Sequence, residues 1–204
     1  ESGCGKTSLA KAILGMQKQY NGTITLDCQN PQMVFQDPYS SLNPSKKIGW
    51  ILEEPLRMKA RKEKKTEEFS KIERVKKVDQ MLARVGLEEK LKEHYPTELS
   101  GGQRQRIAIA AALLCDTNFL IADEPVSALD VTIQAQIVKL LLNLHRELGI
   151  SILFISHDLR VVYQMCDRVI IMKNGEILEQ GKVEEVYTKP VSNYTRLLLE
   201  AANL

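Results

Sequence analysis

The chain has 204 residues, of which 44% are hydrophobic, 26% charged and only 5% aromatic. That length suits one or two domains with a substantial core, and the composition excludes disordered, collagen-like and disulfide-scaffold classes. Twenty-eight basic residues against 26 acidic ones leave a formal charge of +2, too small to give a nucleic-acid footprint by itself. No apolar run comes near the roughly 18 residues that a membrane span needs.

Taken in chain order, a glycine-rich opening leads into a helix from about Ser8 to Leu14, closed by Gly15. Thr23–Leu26 and Gln32–Phe35 read as short β-rich runs. Asp37-Pro38 and Asn43-Pro44 then punctuate a loop, after which helical periodicity dominates as far as about Leu91. Within that stretch, Arg57 to Lys77 carries ten basic and four acidic residues, the pattern of a solvated helix surface, with contact to lipid headgroups or a partner as the alternative. A helix over 103–114 follows a Ser-x-x-Gln start signal. Strand character returns at Phe119–Ala122 and at Ser151–Ser156. Between these strands Val131 to Leu148 is helical, with Ile133, Ile137, Leu140, Leu141 and Leu144 on one face. Short apolar strands alternating with helices indicate parallel strands joined by crossovers. Arg168–Met172 and Glu176–Leu178, joined by an Asn-Gly turn, form a hairpin, and a helix at Tyr194–Ala202 ends the chain. The fold class is α/β: one domain over 1–204, with a mostly helical insert from about 37 to 118 and a terminal hairpin and helix from about 168.

Four cysteines, Cys4, Cys28, Cys115 and Cys166, stand far apart without metal-binding spacing, and free thiols are expected. Gly3-Cys4-Gly5-Lys6-Thr7 is the end of a phosphate-binding pattern, G-x-x-x-x-G-K-[ST]. Its glycines let successive N–H groups turn toward one anion, Lys6 neutralises phosphate charge, and Thr7 offers a hydroxyl to Mg²⁺. A glycine-rich turn before a helix is common, so this fragment alone is ambiguous. The strand at 119–122 ends in Asp123 and Glu124. A carboxylate there can hold the water shell of Mg²⁺, and the next can deprotonate an attacking water. Leu99-Ser100-Gly101-Gly102-Gln103 is at once a capping box and, through its glycines, a place where a phosphate can approach a helix N-terminus.

Leu-Ser-Gly-Gly-Gln, followed by Asp-Glu-Pro, then Ser127-Ala-Leu-Asp130, then Ser156-His157-Asp158, resembles the motif order of ABC-transporter ATPase subunits over essentially the whole chain. Gln36 in Val-Phe-Gln-Asp-Pro matches that family's Q-loop. Gln36 to Pro44, Ile121 to Val131, and Pro190 with Tyr194-Thr-Arg196 are similar to the peptide and nickel importer branch. The resemblance implies a P-loop core that takes ATP and Mg²⁺ and an ATP hydrolysis coupled to transport. Glu1, Ser2, Gly3, Cys4, Gly5, Lys6, Thr7 and Ser8 of one chain would hold the nucleotide against Ser100, Gly101, Gly102 and Gln103 of another in a head-to-tail dimer. Glu124 would be the general base, His157 would contact the γ-phosphate, and Gln36 would touch Mg²⁺ and water. Thr7, Gln36 and Asp123 would serve the metal, and Asp130 would communicate across the dimer. His94 and His145 lack such context and read as ordinary surface or packed residues.

Further implications are a sibling or identical ATPase partner, two membrane permease subunits, an extracellular solute-binding protein, no nucleic acid, and a peripheral position on the cytoplasmic face of the membrane. The first glycine of the phosphate-loop pattern would fall one residue before Glu1, and the strand and adenine-stacking aromatic that precede it in relatives are absent. The connection between Asp27 and Gln32 is short. A truncated sequence rather than a decayed gene copy is the expectation. The competing functions are a soluble non-transport ABC ATPase and a nucleotide-binding regulatory subunit without turnover; retained Glu124 and His157 weigh against the second.

Overall fold

The computed structural model describes residues 3–28, 30–63 and 70–204. In chain order the elements are α1 (Lys6–Ile13), β1 (Gln32–Val34), α2 (Pro38–Ser41), α3 (Ile48–Glu63), α4 (Lys71–Arg84), two 3₁₀ turns (Glu89–Glu93 and Pro96–Glu98), and α5 (Gly101–Leu113). There follow β2 (Phe119–Asp123), α6 (Val131–Leu148), β3 (Ser151–Ile155), α7 (Leu159–Met165), β4 (Arg168–Lys173), β5 (Glu176–Lys182), α8 (Val183–Thr188) and α9 (Asn193–Ala201). They group into two compact units: residues 27–153, and residues 1–26 together with 154–204.

In the unit spanning 27–153, α5 is the central element. Between Ile107 and Leu114 its sequence is apolar on every side, and a helix of that kind is stable only when surrounded. It packs against α2, α3, α4, α6 and β1. Ile107, Ile109 and Ala110 have no exposed surface, and burying an isoleucine completely contributes about 2 kcal/mol. The sheet beside it runs in the order β1-β2-β3. β1 and β2 are parallel, with Gln32 opposite Leu120 and Val34 opposite Ala122. α6, the long connection from β2 to β3, buries Ile137, Leu140, Leu141 and Leu144 on one stripe, as its periodicity predicts. Ile133, at the start of that stripe, is half-buried.

The helix ends are set by local chemistry. Ser70 and Glu73 form a capping box on α4, and Ser100 and Gln103 form another on α5. The basic run 57–77 falls partly outside the described residues. Within it, Arg57 and Arg74 both approach Glu53, at 3.5 and 3.7 Å, and Arg57 also stacks over Trp50. These are the contacts of a helix surface.

The other unit has a small core of Val162, Val169, Ile171, Val183 and Val186, with Phe154, Cys166 and Tyr187 packed against it. β4 and β5 pair antiparallel. Asn174 and Gly175 both have positive φ, 50° and 83°, as a two-residue Asn-Gly hairpin turn requires. α1 begins at Lys6, two residues before the sequence pattern suggests, because the left-handed Gly5 (φ 97°) already turns the chain into the helix.

One expected element is corrected. Thr23–Leu26 is not a strand. Its residues have β propensity, but among the described residues none forms a ladder with them. Propensity without a neighbouring strand does not make a sheet. Leu26 stays 40% exposed.

All four cysteines are free thiols. Burial pushes the Cys166 thiol up to about 11, with Asp167 adding to the effect. The folded thiol therefore keeps its proton to a higher pH than the unfolded one, and stability falls as the pH rises from about 9 toward 11. Urea titrations at pH 8, 9 and 10 are expected to show that fall, and Cys166→Ala should flatten part of it.

Candidate functional site

In the unit containing the chain's first residues, Gly3 and Gly5 both take left-handed backbone, with φ of 83° and 97°. No side chain caps the N-terminus of α1, so its first N–H groups suit an anion. Cys4 is buried at 4% exposure and accepts a contact from the Lys6 ammonium at 3.4 Å, while Thr7 and Ser8 are exposed. The loop is braced from the far end of the unit: the Gly175 N–H donates to the Cys4 carbonyl at 3.2 Å. The Asn-Gly turn thus supports the phosphate loop, a role that no local signal in the sequence reveals. Glu1 and Ser2 lie outside the described residues.

His157, in the same unit, is exposed between two anchored neighbours. The Ser156 hydroxyl accepts the Asp158 N–H at 3.0 Å. The Asp158 carboxylate in turn accepts N–H bonds from Arg160 and Val161, capping α7. The motif residues around His157 therefore shape the turn that presents it.

In the 27–153 unit the structure brings Gln36, Glu124 and Ser127 together. The Gln36 amide donates to the Glu124 carboxylate at 3.3 Å and to the Ser127 hydroxyl at 3.4 Å. The reason lies in the register of the sheet. β1 and β2 run parallel and in step, so the residues following their C-terminal ends emerge side by side. Asp123 ends β2, buried at 4% exposure. Glu124 then adopts φ 46°, an uncommon conformation for a side-chain-bearing residue, and one often found where function constrains the backbone.

A second cluster joins Ser100–Gln103 to the start of α6. Ser100 Oγ accepts the Gln103 N–H at 3.3 Å, and the Ser100 N–H donates to Gln103 Oε1 at 2.9 Å. Asp130 caps α6, accepting the Ile133 N–H at 3.0 Å. A Cβ on Gly101 would lie 3.2 Å from Leu129, and one on Gly102 only 2.7 Å from Ile133 Cγ2. Gly102, which is buried, is thus required by packing, and Gly101 leaves a side chain little room. Sequence reasoning missed Gln134, whose amide donates to the carbonyls of Val126 and Leu129, both at 3.0 Å.

The same unit carries an open groove of about 1070 Å³ beside β1, lined by Phe35, Leu42, Ile51 and Met58 with Glu54 and Lys59 among its polar groups. Among the described residues no group of three or more His, Cys, Asp or Glu side chains could hold a metal by itself.

The ABC transporter family model matches residues 1–127, which is most of the chain and includes the phosphate loop, Gln36, Ser100–Gln103 and Glu124. The chain belongs to the ABC transporter family. It is 43% identical over 98% of its length to the dipeptide transport ATP-binding protein DppF of Haemophilus influenzae, and spans 64% of that protein. It is 46% identical over 98% of its length to the oligopeptide transport ATP-binding protein OppF of Escherichia coli, and spans 63% of it. The ABC chain therefore covers somewhat under two thirds of these relatives. Its fold is the α/β P-loop fold of the family. Against cbiO1 of Clostridium perfringens, part of the ABC transporter complex cbiONQ, the TM-score is 0.77 at 29% identity, covering 97% of this chain and 84% of the other. Against the ATP-binding cassette MJ0796, a dimer in a post-hydrolysis state with ADP and Pi, the TM-score is 0.75 at 30% identity, covering 90% and 82% of the two chains.

The Gly102 contact yields a stability prediction. Ile133 is β-branched and stiff on a helix, so Gly102→Ala is expected to destabilise by about 1–3 kcal/mol through overpacking. The double variant Gly102→Ala, Ile133→Ala should recover most of the added loss by making room. Denaturant midpoints of the two single variants and the double variant check this.

Proposed function

We propose that this chain is the ATP-binding and ATP-hydrolysing subunit of an importer, with peptides as its favoured cargo and nickel-type metal complexes as the wider class. The observation that carries the reading is the Gln36–Glu124 contact, because it places an acceptor of the water proton beside a group that can orient that water. The names of the dipeptide and oligopeptide relatives support the cargo class.

In this reading Gly3, Cys4, Gly5, Lys6, Thr7 and Ser8, with Glu1 and Ser2 before them, bind the phosphates of ATP. Open space over Gly3 and the uncapped start of α1 fit an anion. The Thr7 hydroxyl, the Asp123 carboxylate and the Gln36 side chain are the hard oxygen donors that suit Mg²⁺. When bound, Mg²⁺ neutralises phosphate charge. Glu124 takes a proton from the attacking water, Gln36 orients that water, and His157 contacts the γ-phosphate. Ser100, Gly101, Gly102 and Gln103 grip the nucleotide of a second ATPase subunit, sibling or identical, in a head-to-tail dimer, and Asp130 relays between the two sites. ATP then supplies differential affinity for the closed dimer, and loss of the γ-phosphate releases it.

The groove beside β1 accepts a short helix of a membrane permease subunit, of which the importer has two. Its apolar lining next to Gln36 makes it the route by which the site senses the permease. No described helix is long and apolar enough to cross a membrane, which fits a peripheral subunit on the cytoplasmic face that relies on permeases and, beyond them, on an extracellular binding protein to select cargo.

In the full-length protein, Glu124→Gln is expected to lower kcat by roughly 10²–10⁴-fold, the usual loss on removing a general base. ATP affinity should be retained, and a nucleotide-dependent dimer should accumulate in size-exclusion chromatography. Undiminished phosphate release by the variant would remove Glu124 from the chemistry. Failure of the wild type to release phosphate, with its partner subunit present, would leave nucleotide binding without turnover.

A further inference from the structure

Residues Glu124 to Asp130 connect β2 to α6 and carry a proposed catalytic residue at one end and the α6 cap at the other. Backbone bonds alone close this loop only loosely: the Ser127 N–H reaches the Glu124 carbonyl at 3.3 Å, and the Leu129 N–H reaches the Val126 carbonyl at 3.2 Å. Two side chains complete it. The Ser127 hydroxyl donates to the Glu124 carbonyl at 3.1 Å while accepting from the Gln36 amide at 3.4 Å. From the first turn of α6, Gln134 sends its Nε2 to the carbonyls of both Val126 and Leu129 at 3.0 Å. One amide nitrogen has two hydrogens, so these two bonds use its whole donor capacity. Val126 itself is buried at 4% exposure, which leaves its carbonyl little access to water in place of that amide.

We propose that Gln134 is a positioning residue for the ATPase site: by clamping the carbonyls of Val126 and Leu129 it holds the 124–130 loop in one shape, keeping Glu124 against Gln36 and Asp130 on α6. The clamp matters because Glu124 sits at φ 46°, a conformation that persists only when its surroundings over-determine it. Without the Gln134 bonds the loop keeps only the Ser127 contacts, its two backbone bonds and the Asp130 cap, and Glu124 can relax toward ordinary backbone, away from the Gln36 amide. Gln134 touches neither water nor nucleotide in this account and acts only through the loop. The inference rests on the hydrolytic reading given above.

The test is steady-state ATP hydrolysis and ATP binding in the full-length protein, with wild type, Gln134→Glu, Gln134→Ala and Glu124→Gln measured together. Gln134→Glu keeps the shape of the side chain but replaces the donor with oxygens that repel both carbonyls. Gln134→Ala covers the case in which that variant does not fold. The expected result is a fall in kcat of about tenfold or more in the folded variants, with KM for ATP and ATP affinity within about twofold of wild type. Loss of one interaction made to the catalytic geometry rather than to bound substrate gives that split. A Gln134 variant with wild-type kcat overturns the inference, as does one in which kcat and affinity fall together with the melting temperature. Wild-type turnover that Glu124→Gln abolishes but the Gln134 variants leave intact overturns the clamp alone. A wild type without turnover overturns the hydrolytic reading, and the clamp with it.

Discussion

β2 carries Leu120, Ile121 and Ala122 with no exposed surface and ends on Asp123, itself buried at 4% exposure. The chain leaves the sheet at Glu124, in left-handed backbone. Parallel pairing in step with β1 then sets Gln36 next to it. Much of the 27–153 unit follows from that constraint. α5 covers β1, and α6 starts from a cap on Asp130. The loop between the carboxylate and the cap is closed by side chains from both directions.

The second organising feature is the close approach of α5 and α6 at their N-termini. Gly102 has no room for a methyl group because Ile133 already occupies the space. Gly102, one of the two glycines proposed to meet a phosphate, is therefore held in place by packing within the chain. Ser100 and Gln103 meanwhile satisfy each other's backbone N–H groups. The capping box and the proposed nucleotide contact are compatible because the box uses only the first and fourth residues, Ser100 and Gln103.

Much of the fold was legible because its elements are locally determined. The 131–148 helix declares itself through a continuous apolar stripe. The Asn-Gly hairpin declares itself through a dipeptide that takes positive φ at two adjacent residues with little strain. The run at 23–26 misled because β propensity describes how residues fit a sheet, and the partner strand is not a local property. The candidate site residues were read as motifs, and two of them, Gln36 and Glu124, 88 positions apart, are in hydrogen-bond contact. The supporting residues were not. Gly175 braces the phosphate loop through its backbone N–H, a group that almost every residue has. Gln134 looks like any polar position on an amphipathic helix.

The amino-acid sequence by itself determined most of the larger helices and strands, the Ser100–Gln103 capping box, the hairpin turn and, through the order of its motifs, the membership of the ABC transporter family. Only the tertiary structure decided which distant groups meet: Gln36 with Glu124 and Ser127, Gly102 with Ile133, Gly175 with Cys4, and Gln134 with the 124–130 loop. Such meetings depend on strand register and helix packing, which the whole core settles at once, and no short window of sequence contains the distances involved.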